Sequence, residues 1–188
     1  MLEARLQQQF FESADLLYQS AESLSKPLAT AAQLMLNSVT AGSRLMVAGH
    51  GLAAREAQQL GGWLLGRLEH ERPGLAALVL NSHVGALHGT EAFSRQVLSL
   101  GHPGDLLLWL DAEGQSPAPA ELIQAAHAQD MAVLALAPAE HEALRRLLSD
   151  TDVFVPLPAP RLVRRLTLMR VALLALCDAL DAQLLGLE

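Results

Sequence analysis

VAGHGLAAREAQ, residues 47–58, reads as a buried strand that ends in a glycine turn and passes directly into a helix. The same rhythm continues outward from it. RLMVAG (44–49), LAALVLN (75–81), DLLLWL (105–110), MAVLALA (131–137) and DVFVP (152–156) are short apolar runs, each separated from the next by a segment that can hold a helix. Continuous apolar strands need cover on both faces, which a parallel sheet between helices provides. The expected fold is an α/β, three-layer α/β/α sandwich of flavodoxin-like type with a five-stranded parallel sheet.

Two helices are expected before the sheet, over 2–22 and 26–41, with Ser25-Lys26-Pro27 as the start of the second. The Leu/Ala-rich stretch 160–185 reads as a terminal helix, and VPLPAP (155–160) as the turn that leads into it. The whole of 1–188 is expected to be one domain, with 1–42 as the leading helices and 43–188 as the α/β core.

Composition narrows the function. A formal net charge of −7 lacks the phosphate attraction on which nucleic-acid binding rests, so no direct nucleic-acid partner is expected. No apolar run approaches the roughly 20 residues that span a bilayer, and the first residues are not of signal-peptide type. A cytoplasmic protein with no membrane association is the expectation. Cys177 is the single cysteine and lies in the apolar pattern ALLALCDAL, which suits packing better than redox or metal chemistry.

In open α/β sheets, ligands gather at the carboxyl ends of the strands, which directs attention to 48–56, 81–91, 111–116 and 137–142. Gly49 and Gly51 leave backbone N–H groups accessible at the positive end of a helix, so an anion is welcome there. The turn has Ala54 where a dinucleotide fingerprint has its third glycine, and it lacks the lysine of a P-loop. His83 and His88, with His50 and Glu91, are the groups that could converge on zinc, although no metal and no cofactor are expected.

ERPGLAALVLN (71–81), QVLSLGHPGDLLLWL (96–110) and LCDALD (176–181), together with the unit at 45–58, resemble the SIS (sugar isomerase) domain family over essentially the whole chain. Within the family the chain is similar to the branch that holds phosphoheptose isomerase and DiaA, the partner of the replication initiator DnaA, and closer to DiaA. Members that bind a sugar phosphate have a first loop of the type Cys-Gly-Asn-Gly-Gly-Ser and a hydroxyl-rich second loop, Ser-Thr-Ser-Gly-Asn-Ser. Here the loops read Ala48-Gly49-His50-Gly51-Leu52-Ala53 and Asp111-Ala112-Glu113-Gly114-Gln115-Ser116. The resemblance makes Gly49, His50, Gly51, Gly114, Gln115 and Ser116 the residues of a vestigial ligand site. Two carboxylates now stand in the second loop. At about 5 Å and an effective dielectric near 20, each repels a unit negative charge by about 3 kcal/mol.

The resemblance also implies a glutamate on the helix after the first loop, a zinc ligand one turn before it, and a late histidine. Those helix positions are Trp63 and Gln59, and the last histidine of the chain is His141. The expectation is therefore a non-catalytic DiaA-like adaptor, with no catalytic residues, that binds a DnaA-type initiator through Leu184 and Leu185. It would assemble as a homotetramer through helices that include Phe10, Phe11, Leu16 and Leu17. Two alternatives stand beside it: an active isomerase acting on sedoheptulose 7-phosphate, and a sensor of an anionic sugar phosphate that uses His50, Ser116 and the cluster Arg161, Arg164, Arg165 and Arg170.

Overall fold

The computed structural model describes residues 1–81, 91–116 and 119–187. The elements run α1 (Leu2–Thr40), β1 (Leu45–Gly49), α2 (Ala53–Leu65), β2 (Ala77–Val79), α3 (Ala92–Leu100), β3 (Leu106–Leu110), α4 (Pro119–Ala128), β4 (Ala132–Pro138), α5 (Glu142–Arg145), β5 (Val153–Leu157) and α6 (Leu162–Leu185). The five strands form a parallel sheet in the order β2-β1-β3-β4-β5, so the expected fold class is borne out.

Strand parity divides the core into two layers. Leu45 and Val47 of β1, Leu106, Leu108 and Leu110 of β3, and Leu134 and Leu136 of β4 face a layer shared with α1, α2 and α6. Met46, Ala48, Leu107, Trp109, Val133 and Ala135 face the other, shared with α3, α4 and α5. Successive side chains on a strand point to opposite faces, so unbroken apolar runs are what a doubly covered sheet requires.

One expectation fails. The first two helices are a single 39-residue helix that runs through Pro27. An interior proline costs about 3 kcal/mol. One face of α1 nevertheless stays continuous across it, burying Leu24, Ala31 and Met35, and each such leucine or methionine contributes about 1.5–3 kcal/mol. Burial outweighs the local stop signal. Ser23 Oγ and Ser25 Oγ donate to the carbonyls of Ser20 and Glu22 in the turns before the proline.

α1 is joined to α6 by a polar lock. Arg164, buried, donates to Ser13 Oγ at 2.7 Å, Gln9 Oε1 at 2.8 Å and Glu12 Oε2 at 2.8 Å. The Arg164 hydrogen bond, assisted by one from Gln8, holds the Glu12 carboxyl below its usual range. Elsewhere on α1, Leu2, Leu6, Phe10 and Phe11 are exposed, whereas Leu16 and Leu17 pack against the core.

Candidate functional site at the carboxyl edge of the sheet

The strand order reverses direction between β1 and β3, and this is where doubly wound sheets open a crevice. Register brings the two critical turns together. Gly49 pairs with Leu110, so the loops that follow them leave the sheet side by side. His50 N–H donates to Leu110 O at 2.9 Å, and Asp111 N–H donates to Leu136 O at 3.0 Å.

The first turn needs glycine for steric reasons. A Cβ on Gly49 would lie 2.4 Å from Ala53 O, a backbone atom of the first turn of α2 that cannot retreat. Gly51 has φ +54°, and a Cβ there would meet Glu113 Oε1 at 2.3 Å. The turn therefore presents α2 end-on to the second loop, with its partial positive charge facing outward.

The second loop supplies the negative charge itself. Asp111, fully buried, accepts from the N–H groups of Glu113 at 2.9 Å and Gly114 at 2.8 Å through Oδ1. Glu113 Oε1 accepts from Leu52 N–H at 3.3 Å, at the N-terminus of α2. The structure adds a role that the sequence did not show for these carboxylates. They cap their own loop and the neighbouring helix.

Beside this turn lies a cleft of about 510 Å³ whose lining includes Glu113, Gly114, Gln115, Glu140, His141, Glu142 and Arg165. Arg165 forms an ion pair with Glu140 at 3.5 Å, and its buried Nε has no hydrogen-bond partner among the described residues. His141 is the N-cap of α5, accepting from Leu144 N–H through Nδ1 at 3.3 Å, while its buried Nε2 has no hydrogen-bond partner among the described residues. A larger hollow of about 710 Å³ lies at the opposite edge, among the turns before β1, β3, β4 and β5. Its His127 is occupied by Asp152 at 2.8 Å, and the carboxyl-edge cleft remains the better candidate.

The site residues expected from sequence divide between two places. Gly114 and Gln115 line the cleft; Gly49, His50 and Gly51 form the adjoining turn; Ser116 is engaged in an interaction of its own. His83 and His88 lie outside the described residues, and Glu91 pairs with Arg95 at 2.9 Å. Among the described residues the metal-type cluster is Glu69, His70 and Asp178, near the far end of α2. Trp63 is half-buried against the core and Gln59 is exposed.

The arginine cluster does not act as one patch. Arg161 and Arg164 pair with Glu12 on α1, and Arg170 holds Glu56 at 2.8 and 3.1 Å, a hydrogen bond that raises the Arg170 pKa above its ordinary value. Arg165 alone of the four lines the cleft. Glu56 was not legible as its partner, because the two residues are separated by 114 positions.

A doubly wound sheet with a glycine turn and a polar second loop at its switch point is the architecture of a ligand-binding α/β domain. The sequence model of the SIS domain matches residues 9–138, and the chain belongs to that family. It is 44% identical over 193 residues to the phosphoheptose isomerase of Methylibium petroleiphilum, covering 99% of this chain and 96% of the relative. Identity to the phosphoheptose isomerase of Aromatoleum aromaticum is 37% over 191 residues, with 98% and 96% covered. Among solved structures, phosphoheptose isomerase GmhA from Neisseria gonorrhoeae superposes with a TM-score of 0.88 at 30% identity, covering 97% of this chain and all of that one.

These relatives overturn the adaptor expectation. They carry the name phosphoheptose isomerase, which matches the isomerase alternative and not a DnaA-binding role. The supposed partner-binding end also changes character: Leu184 packs against the protein's own core, although Leu185 remains 39% exposed. Among the described residues no helix is long and apolar enough to cross a membrane.

Proposed function

We propose that this protein is a phosphosugar-binding member of the phosphoheptose isomerase group, with a phosphorylated seven-carbon sugar seated at the carboxyl edge of β1, β3 and β4. The observation that carries this reading is the match of 99% of the chain, at 44% identity, to a relative named phosphoheptose isomerase. The local chemistry supports it: the N-terminus of α2 attracts an anion, and the cleft carries carboxylates, a histidine and Arg165 to meet hydroxyls and charge. The uncovered residues of α1, Phe10 and Phe11 among them, support assembly with further copies of the chain.

Turnover is a second reading, favoured by the names of the same relatives. Aldose–ketose isomerisation moves a proton between adjacent carbons and needs a base and an acid within hydrogen-bond reach. Trp63 cannot serve as base or acid at the helix position where the resemblance puts a glutamate, and Gln59 stands where it puts a zinc ligand. Among the described residues, the groups lining the cleft that could exchange a proton are His141 and the carboxylates of Glu113, Glu140 and Glu142. The test is stabilisation of the protein by sedoheptulose 7-phosphate in a melting experiment, followed by a discontinuous assay for the isomerised product. Stabilisation without product supports binding alone; product supports both readings; neither effect rejects both.

A further inference from the structure

We infer that Glu113 is the specificity-determining residue of the carboxyl edge, a built-in anion that occupies the place a phosphate would take. The inference rests on the phosphosugar-binding reading and adds to it a residue that weakens binding at the phosphate end. Glu113 Oε1 accepts from Leu52 N–H at 3.3 Å, and it lies 2.3 Å from the point where a Cβ on Gly51 would stand. The carboxylate thus lies directly over the turn at the positive end of α2. A free phosphate at that point would need the same amide and the same space.

The neighbouring donors are committed as well. Asp111 Oδ1 takes the N–H groups of Glu113 and Gly114, so the second loop turns those two donors toward its own buried carboxylate. Asp111 also fixes the loop conformation from which Glu113 reaches across. Among the described residues no lysine, arginine or histidine forms an ion pair with Glu113. Its charge is met by the turn and the helix end, the features that would otherwise hold an external anion. A side chain held by one long hydrogen bond is displaceable, so the contact lowers phosphate affinity without abolishing it.

The experiment is calorimetric titration of sedoheptulose 7-phosphate, and separately of inorganic phosphate, into the wild type and the Glu113→Ser, Glu113→Gln and Asp150→Asn variants. Asp150 is exposed in the turn before β5, at the opposite edge of the sheet, so its variant measures the effect of removing any one carboxylate. Circular dichroism and melting temperature establish that each variant is folded. Glu113→Ser is expected to bind both ligands at least tenfold more tightly than the wild type, Glu113→Gln to gain less because its amide still fills the space, and Asp150→Asn to change by less than about threefold. Wild-type binding with no gain in folded Glu113→Ser overturns the inference and leaves the phosphosugar reading in place. An equal gain in Asp150→Asn also overturns it, since general charge would then explain the effect. A silent wild type with a binding Glu113→Ser supports the inference and rejects the phosphosugar reading for the native chain. Silence from both rejects the two together.

Discussion

Arg72 offers the sharpest test of how the site is held in place. Its side chain and that of Asp181 are almost completely buried, and Arg72 Nε donates to Asp181 Oδ1, tying α6 to the segment after α2. The remaining donors run to backbone carbonyls: Nη1 to Leu64 at 3.1 Å and Gly66 at 3.2 Å, and Nη2 to Trp63 at 3.1 Å. One guanidinium therefore closes the C-terminus of the helix whose other end forms the glycine turn. Removing one member of a buried ion pair strands the other and costs about 3–5 kcal/mol. For a chain of this size that is a fall in melting temperature of roughly 10 °C, at about 2–4 °C per kcal/mol. Arg72→Met should show this loss in urea unfolding, and the double variant Arg72→Met/Asp181→Leu should recover at least half of it, because the stranded charge is gone. A loss below about 1 kcal/mol in the single variant would refute the clamp. No recovery in the double variant would show that the carbonyl contacts, and not the charge pair, carry the effect.

Two further outcomes follow from the ionisable groups. Burial, with a smaller contribution from the Asp181 charge, pushes the Cys177 thiol up to about 12, so a thiol reagent at pH 8 should label the native protein only on unfolding; labelling at the rate of a free cysteine would contradict this burial. The Glu12 carboxyl is held low by Arg164, so its contribution to stability is fully present above roughly pH 5 and is lost as the pH falls through the folded-state value. Acid unfolding of Glu12→Gln should accordingly depend less on pH than that of the wild type, and parallel curves would exclude the lock between α1 and α6 as a source of acid sensitivity.

The parallel sheet was legible because buried strands flanked by helices leave a pattern that few other folds produce: 45–49, 106–110 and 132–138 are apolar at every position. Pro27 misled for the opposite reason. It is a strong local signal, and the face of α1 that overrides it is defined by contact with α6 and β5, both far away in sequence. The turn at Gly49 and Gly51 was readable from glycine spacing and helix polarity. What the second loop does was not. Asp111 and Glu113 announce negative charge, but only the register between Gly49 and Leu110 reveals that the charge lands on Leu52 N–H and on the loop's own amides. The four late arginines look like one patch in sequence, yet helical geometry sends two to α1, one to α2 and one to the cleft.

The most direct test of the central claim is titration of sedoheptulose 7-phosphate into the unmodified protein, with an uncharged sugar of similar size as the comparison. The account predicts saturable binding, weaker than about 10 μM but measurable near 1 mM, where the binding free energy is about −4 kcal/mol, and no binding of the uncharged sugar. Absence of saturable heat up to roughly 10 mM ligand, or equal binding of the uncharged sugar, would contradict a phosphosugar site at this edge.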